Sequence, residues 1–155
     1  MGFLPPYSHF FSDLSYKALG SAVHAAATSK AALRQAETDG ENTLPFKISA
    51  SAQTTLAALS ALSLACKLTN TSVDTRLVVI QVELILRLAH WPLEAYITYK
   101  QVQTQPLANP VFKIIQAIEK GILAPMSGIH RATQELCLYR QTSKGTVDPA
   151  KLQEL

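Results

Sequence analysis

The segment from residue 75 to residue 91 constrains the fold most, because apolar residues occupy nearly every side of it when it is drawn as a helix. They are Leu77, Val78, Val79, Ile80, Val82, Leu84, Ile85, Leu86 and Leu88. A helix that is apolar all round is normally buried all round. The β-branched residues also allow a strand over residues 78–82, but the length of the segment favours a helix. We therefore expect this helix to be surrounded by others.

Helical spacing of apolar residues recurs along the rest of the chain. It predicts helices over residues 10–37, 48–66 and 110–120, and another from Ser127 onward. The inner face of this last helix is predicted to carry Ile129, Ala132, Leu136 and Tyr139. A turn at residues 38–40 and the glycine at 121 are expected stops, and Asn109 is an expected N-cap. Pro92 predicts either a kink or a restart of the helix. No hairpin signal occurs. The sequence thus predicts an all-α bundle of about five helices with a proline kink near residue 92.

The length of the chain, 155 residues, suits one helical domain spanning residues 1–155. Residues 1–9 are expected to be an N-terminal extension, and residues 142–155 a polar C-terminal tail. The amino end lacks the basic and continuous apolar regions of a secretory signal. We therefore expect an intracellular protein, with an organelle or a membrane-associated complex left open as its place.

The charged content is unusually low. Hydrophobic residues make up 48% and charged residues 16% of the chain, where about a quarter charged is usual. Such a surface is either covered by partners or lipid, or made polar by Ser and Thr, which are abundant here. Residues 48–66 are uncharged and approach the length of a membrane span, but their Ser, Thr and Gln residues favour a buried bundle helix over a transmembrane one.

The sequence contains no familiar catalytic, metal-binding or phosphate-binding motif. Cys66 and Cys137 are far apart and form no CxxC pattern, the histidines are scattered, and no glycine-rich phosphate loop or GxSxG string occurs. The net charge of +3 arises from 14 basic and 11 acidic residues without a block of like charge. We therefore expect no metal, no cofactor, no nucleic-acid partner and no catalysis.

One polar group stands out on the apolar helix. Glu83, Arg87 and His90 share one side at spacings of four and three, Glu94 follows beyond the proline, and Trp91 adjoins them. Ionisable groups amid apolar surface often mark a functional site. The simpler interpretation, which we favour, is an intrahelical ion pair from Glu83 to Arg87 along a solvent-facing or subunit-facing edge.

The sequence is compatible with three functions. The low charge favours a non-catalytic structural or accessory subunit that packs by helix–helix contacts into a larger protein assembly, membrane-linked or virion-like. Its partners would be protein subunits, either copies of itself or others, with membrane contact as a further alternative. The second function is binding of a lipophilic small molecule between helices near Trp91. The third is an enzyme with an unrecognised site around Glu83 and His90.

Overall fold

The computed structural model describes residues 6–104, 106 and 109–145, with side chains from Tyr16 onward. Its elements are α1 (Pro6–Thr38), α2 (Leu44–Leu68), α3 (Val73–Gln103), α4 (Pro110–Ile118), a π-helical segment (Glu119–Leu123) and α5 (Ala124–Ser143). The described residues contain no strand, which confirms the all-α prediction. Because α4, the π-helical segment and α5 follow one another without a break, the described chain forms four continuous helices rather than about five.

Two helix boundaries follow the local signals in the sequence. α1 ends at Thr38, and Gly40 takes a φ of 70°, the left-handed conformation that glycine adopts most easily. The side chain of Asn109 accepts a hydrogen bond from the backbone N–H of Val111, with Pro110 at the first helical position. α1 itself begins at Pro6, within the stretch predicted as an N-terminal extension, and α5 reaches Ser143. The rest of the predicted tail, residues 146–155, lies outside the described residues.

Gly121 does not stop a helix, and Ser127 does not begin one. Gly121 is buried inside the π-helical segment, and a Cβ built on it would lie 3.1 Å from the Cα of Ala95 and 3.3 Å from the Cβ of Thr98. The glycine therefore permits a close crossing with α3, and the helix continues through it. A predicted stop was wrong here because glycine serves close packing as well as helix ends.

α3 continues through Pro92 instead of restarting after it. A proline inside a helix removes one backbone donor, so the carbonyl of the residue four positions earlier loses its partner. That residue is Leu88, which is 47% exposed. Solvent is therefore close to the position where the helical hydrogen bond is missing.

α3 lies at the centre of the packing. α1 packs along α2, while α2 and α5 both pack against α3. One buried cluster joins Ala32 and Ala36 of α1 with Phe46 of α2 and Ile97 of α3. A second cluster joins α3 to α5 through Ile80, Ala132 and Tyr139, and it confirms the inner face predicted for α5.

The prediction that α3 is buried on every side is wrong. Val78 is 58% exposed and Ile85 is 67% exposed, whereas Arg76, Glu83 and His90 are buried. The polar stripe of α3 thus faces the neighbouring helices, and much of its apolar surface faces outward. This is the reverse of the arrangement expected for a helix of a soluble bundle.

α4 shows the same reversal. Its exposed side chains include Val111, Phe112, Ile114, Ile115 and Ile118. The polar residues of α4 lie on the side towards α3: the amine of Lys113 donates to the carbonyl of Gln103 at 3.2 Å, and the side-chain oxygen of Gln116 is buried. Among the described helices, α2 is long and apolar enough to cross a membrane by length and composition, a test that core helices of soluble proteins also pass.

Candidate functional site: an ion-pair network beside an interhelical cleft

Glu83 is the most deeply buried ionisable group of α3, with a side chain that is fully inaccessible to solvent. Its Oε1 accepts hydrogen bonds from Arg87 one turn later, at 2.9 Å and 3.2 Å. The same oxygen accepts a hydrogen bond from Arg131 of α5 at 3.0 Å. The intrahelical pair expected from the sequence is therefore present, but it lies against α5. The expectation of a solvent-facing or subunit-facing edge is wrong.

Arg131 extends the pairing to a second carboxylate. It donates to Glu135 at 2.8 Å, and Glu135 also accepts from Lys67 of α2 at 3.1 Å. Lys67, Glu83, Arg87, Arg131 and Glu135, which we call the ion-pair network, thus connect α2, α3 and α5. Burial acts to lower the pKa of Arg131, but the carboxylates of Glu135 and Glu83 together raise the pKa by more. Within the network, Lys67, Arg87 and Arg131 contact the two carboxylates of Glu83 and Glu135.

His90 and Trp91 lie apart from the network. The Nε2 of His90 is 3.4 Å from the hydroxyl oxygen of Ser49 on α2, and burial lowers the pKa of this imidazole. Trp91 is half-buried and lines neither of the two large cavities between the helices. The structure therefore brings Glu83 and Arg87 together with α5, brings His90 to α2, and leaves Trp91 outside the polar site.

Sequence reasoning missed the members of the network outside α3. Arg131 and Glu135 did carry a signal, since they stand four residues apart beside the predicted inner-face residue Ala132. Lys67 carried none, because a lysine at the end of an apolar helix normally faces solvent. Pairing across helices depends on how α3 is rotated against α5, which local spacing does not specify.

A cavity of about 430 Å³ adjoins the network, and residues of all four continuous helices line it. We call it the interhelical cleft. It lies over α2, with α1 on one side and α3 and α5 on the other. Its charged lining residues are Lys17, Arg87, Glu94 and Arg131. A second cavity of about 380 Å³ shares His24, Gln53 and Glu94 with it and continues along α1 towards Phe46.

Glu94 is the carboxylate at the boundary between the two cavities. Burial raises its pKa, while the charge of Arg87 and a hydrogen bond with Gln53 act in the opposite direction without cancelling the effect. The protonated, neutral form of Glu94 is thereby favoured relative to an exposed glutamate.

Comparison with known proteins finds no matching family model, no matching curated protein and no matching solved structure. Within the described residues, no three His, Cys, Asp or Glu side chains are grouped so as to hold a metal ion. Cys66 is buried and Cys137 is exposed, and neither forms a disulfide.

Proposed function

We propose that this protein is a non-catalytic helical subunit that joins a larger assembly through the outward apolar face of α3. The proposal rests on the spacing of seven exposed residues along α3. Val78, Val82, Ile85, Ala89, Pro92, Tyr96 and Tyr99 follow one another in alternating steps of four and three residues, and all seven are exposed. We call this row the α3 seam. Such spacing is typical of helices that pack against another helix along their length.

The seam has the dimensions and the polarity of a helix-packing surface. Its seven positions extend over about 30 Å of helix, and none of them is charged. The buried side of α3 is fixed by the ion-pair network, so the seam cannot turn inward without separating Glu83 from Arg131. An exposed apolar row on a rigid helix is normally covered by a partner.

Charges at the two ends of the seam favour a second copy of the chain in antiparallel orientation. Asp74 lies exposed before the seam, and Lys100 lies exposed at its far end. In an antiparallel pair, Asp74 of each copy approaches Lys100 of the other, whereas a parallel pair places like charges side by side. The partner proposed first is therefore a second copy.

Sedimentation velocity without detergent tests the association. The wild-type chain should form dimers or larger particles, and Ile85→Lys should shift it to monomers because it places a charge in the middle of the seam. Val23→Lys is the matched control, since Val23 is 53% exposed on α1 and lies outside the seam. A wild-type chain that stays monomeric at high concentration contradicts the proposal.

Cysteine crosslinking tests the orientation. In a Cys137→Ser background, Ala89→Cys places a thiol near the middle of the seam, so two antiparallel copies should form a disulfide there. Val78→Cys should not crosslink, because the antiparallel arrangement places this position opposite Tyr99. Equal crosslinking at both positions would indicate a parallel pair.

The proposal of an enzyme around Glu83 and His90 has less support from the geometry. Glu83 is fully buried, both arginines occupy one of its oxygens, and it is not among the residues that line the cleft. A carboxylate must reach its substrate to transfer a proton. We therefore assign Glu83 a role in holding α3 and α5 together.

A further inference from the structure

We infer that the exposed apolar side of α4 is a second self-association surface, which joins dimers of the chain to one another through antiparallel α4–α4 contacts. The inference rests on the proposed function, because the α3 seam supplies the dimers that α4 joins. Eight large apolar side chains, each between 41% and 59% exposed, form this surface. We call it the α4 face, and its residues are Val111, Phe112, Ile114, Ile115, Ile118, Ile122, Leu123 and Met126.

The α4 face is held in its outward position by two contacts on the other side of the helix. The amine of Lys113 donates a hydrogen bond to the backbone carbonyl of Gln103 at 3.2 Å. Gly121 is buried against the backbone of Ala95 on α3, and the helix continues through this crossing. Rotation of α4 to bury its apolar side would break both contacts. The apolar side chains therefore stay in water unless another molecule covers them.

The α4 face has the size of a protein interface. Each of its eight side chains is about half exposed and so presents on the order of 100 Å² to solvent. Together they approach the roughly 800 Å² that each partner contributes to a standard interface. The largest apolar patch of an ordinary soluble monomer is about 300–600 Å². The exposed area thus matches what a stable contact between two copies needs.

The charges on and beside α4 favour a protein partner over a lipid surface. Helices that lie on a lipid surface normally carry several Lys or Arg residues on their polar side. Lys113 is the single cation among residues 110–118, and it is engaged with α3. Glu119 and Lys120 follow, both exposed, and add no net positive charge. A carboxylate beside the apolar face also opposes contact with anionic lipid.

An antiparallel second copy gives Glu119 a favourable environment. When the pair is centred between residues 114 and 115, Val111 lies opposite Ile118 of the second copy. Glu119 of each copy then lies opposite Pro110 of the other, at the start of α4. The N-terminus of a helix carries partial positive charge and stabilises a carboxylate. A parallel pair would instead place the two Glu119 carboxylates side by side.

Sedimentation velocity over a concentration series tests the second contact. The α3 seam has charge pairs at both ends and is the stronger contact, so wild type should form dimers first and larger particles as the concentration rises. Ile115→Lys should stop at the dimer, because it places a charge in the middle of the α4 face. Ile48→Lys is the matched control, since Ile48 on α2 is 50% exposed and Ile115 is 51% exposed. This control should form the same particles as wild type.

Two results of this experiment would overturn the inference: a wild-type chain that stops at the dimer, and an Ile115→Lys chain that grows as wild type does. Ile85→Lys separates this inference from the proposed function. It should be monomeric at concentrations where Ile115→Lys is dimeric. If Ile85→Lys keeps the particle size of wild type while Ile115→Lys becomes monomeric, the seam proposal is wrong and the α4 contact stands.

Cysteine crosslinking tests the register of the α4 contact. In a Cys137→Ser background, a mixture of Val111→Cys and Ile118→Cys chains should form a disulfide between unlike chains, because the antiparallel pair places these positions opposite each other. Neither chain should crosslink when it is oxidised alone. Crosslinking of the unmixed chains to the same extent would contradict the antiparallel arrangement.

Vesicle flotation tests lipid as the alternative occupant of the α4 face. Vesicles of phosphatidylcholine, with and without phosphatidylserine, should leave the wild-type chain in the unbound fraction. Binding of wild type that Ile115→Lys abolishes and Ile48→Lys retains, in a chain that does not grow beyond the dimer, would assign the α4 face to lipid and overturn the inference.

Discussion

Glu83 shows how one residue can determine the packing of two helices. Its single oxygen Oε1 accepts hydrogen bonds from Arg87 and Arg131, and its side chain is inaccessible to solvent. Removing one partner of a buried ion pair is costly because the remaining charges stay desolvated. We expect Glu83→Gln to lower the free energy of unfolding by about 3 kcal/mol, as measured by urea denaturation.

The control for this substitution is Glu37→Gln, which makes the same chemical change at an exposed position of α1. It should alter the free energy of unfolding by less than about 0.5 kcal/mol. Similar effects of the two substitutions would mean that the network contributes no more than a surface charge does.

His90 provides a prediction about pH. Burial holds the pKa of its imidazole below the ordinary value of 6.5, so the unfolded chain binds this proton more readily than the folded one. Its contribution to the free energy of unfolding is therefore complete above pH 6.5 and is lost as the pH falls towards the folded pKa. Glu94, whose pKa is raised, has the opposite effect, since its protonation on acidification favours the folded state.

A comparison of wild type with His90→Gln separates the effect of His90 on stability from the effects of other ionisable groups. Urea denaturation of wild type and His90→Gln between about pH 5 and pH 8 should show a smaller loss of stability on acidification in the variant. His24→Gln, at an exposed position of α1, should follow wild type. Parallel curves for wild type and His90→Gln would contradict the prediction.

At the scale of elements, the rotation of α3 can be tested with two leucines. Leu84 is half-buried and packs against the cluster of Ile80, Ala132 and Tyr139, whereas Leu88 is 47% exposed. If α3 were buried on all sides, truncation of either leucine to alanine would lower the free energy of unfolding strongly. We expect Leu84→Ala to lower the free energy of unfolding by about 2 kcal/mol and Leu88→Ala by less than about 1 kcal/mol, again by urea denaturation. Equal losses of free energy in the two variants would indicate that α3 is rotated differently about its axis.

The crossing of α3 by the π-helical segment gives a second test with a matched pair of glycines. Gly121→Ala brings a methyl group against the backbone of Ala95, and should lower the melting temperature. Gly20 has no heavy atom within 4 Å of the position of an added Cβ. Gly20→Ala should therefore stabilise the protein by about 0.5–1 kcal/mol, since alanine favours the helix. A stabilising Gly121→Ala would show that the crossing is looser than described.

Some of these elements could be predicted from sequence and others could not. The ends at Thr38 and Asn109 depend on residues within one turn, so local signals were sufficient. The inward side of α3 depends on Arg131 and Glu135, which lie far along the chain. Apolar residues occupy nearly every side of α3, so their periodicity could not predict which side of the helix faces inward. In the structure, the buried ionisable residues of α3 identify that side.

For the whole molecule, the outward apolar surfaces of α3 and α4 predict how association responds to salt. Apolar association persists or strengthens at high salt, whereas association driven by charge weakens. We expect the sedimentation coefficient of the wild-type chain to be maintained or to rise between about 0.1 M and 1 M sodium chloride. Dissociation over this range would indicate that the ends of the seam, at Asp74 and Lys100, dominate the contact.

The reversed placement of charged and apolar side chains also has a calorimetric consequence. The heat capacity of a protein rises when apolar surface meets water on unfolding and falls when polar surface does. Here, seam residues such as Val78 and Ile85 already contact water in the folded chain, and unfolding newly hydrates buried groups such as Glu83 and Arg76. We therefore expect differential scanning calorimetry to give a heat-capacity increment of unfolding below the ~12–15 cal/mol/K per residue that is typical of globular proteins. Association removes the seam from water and therefore carries a negative heat-capacity change.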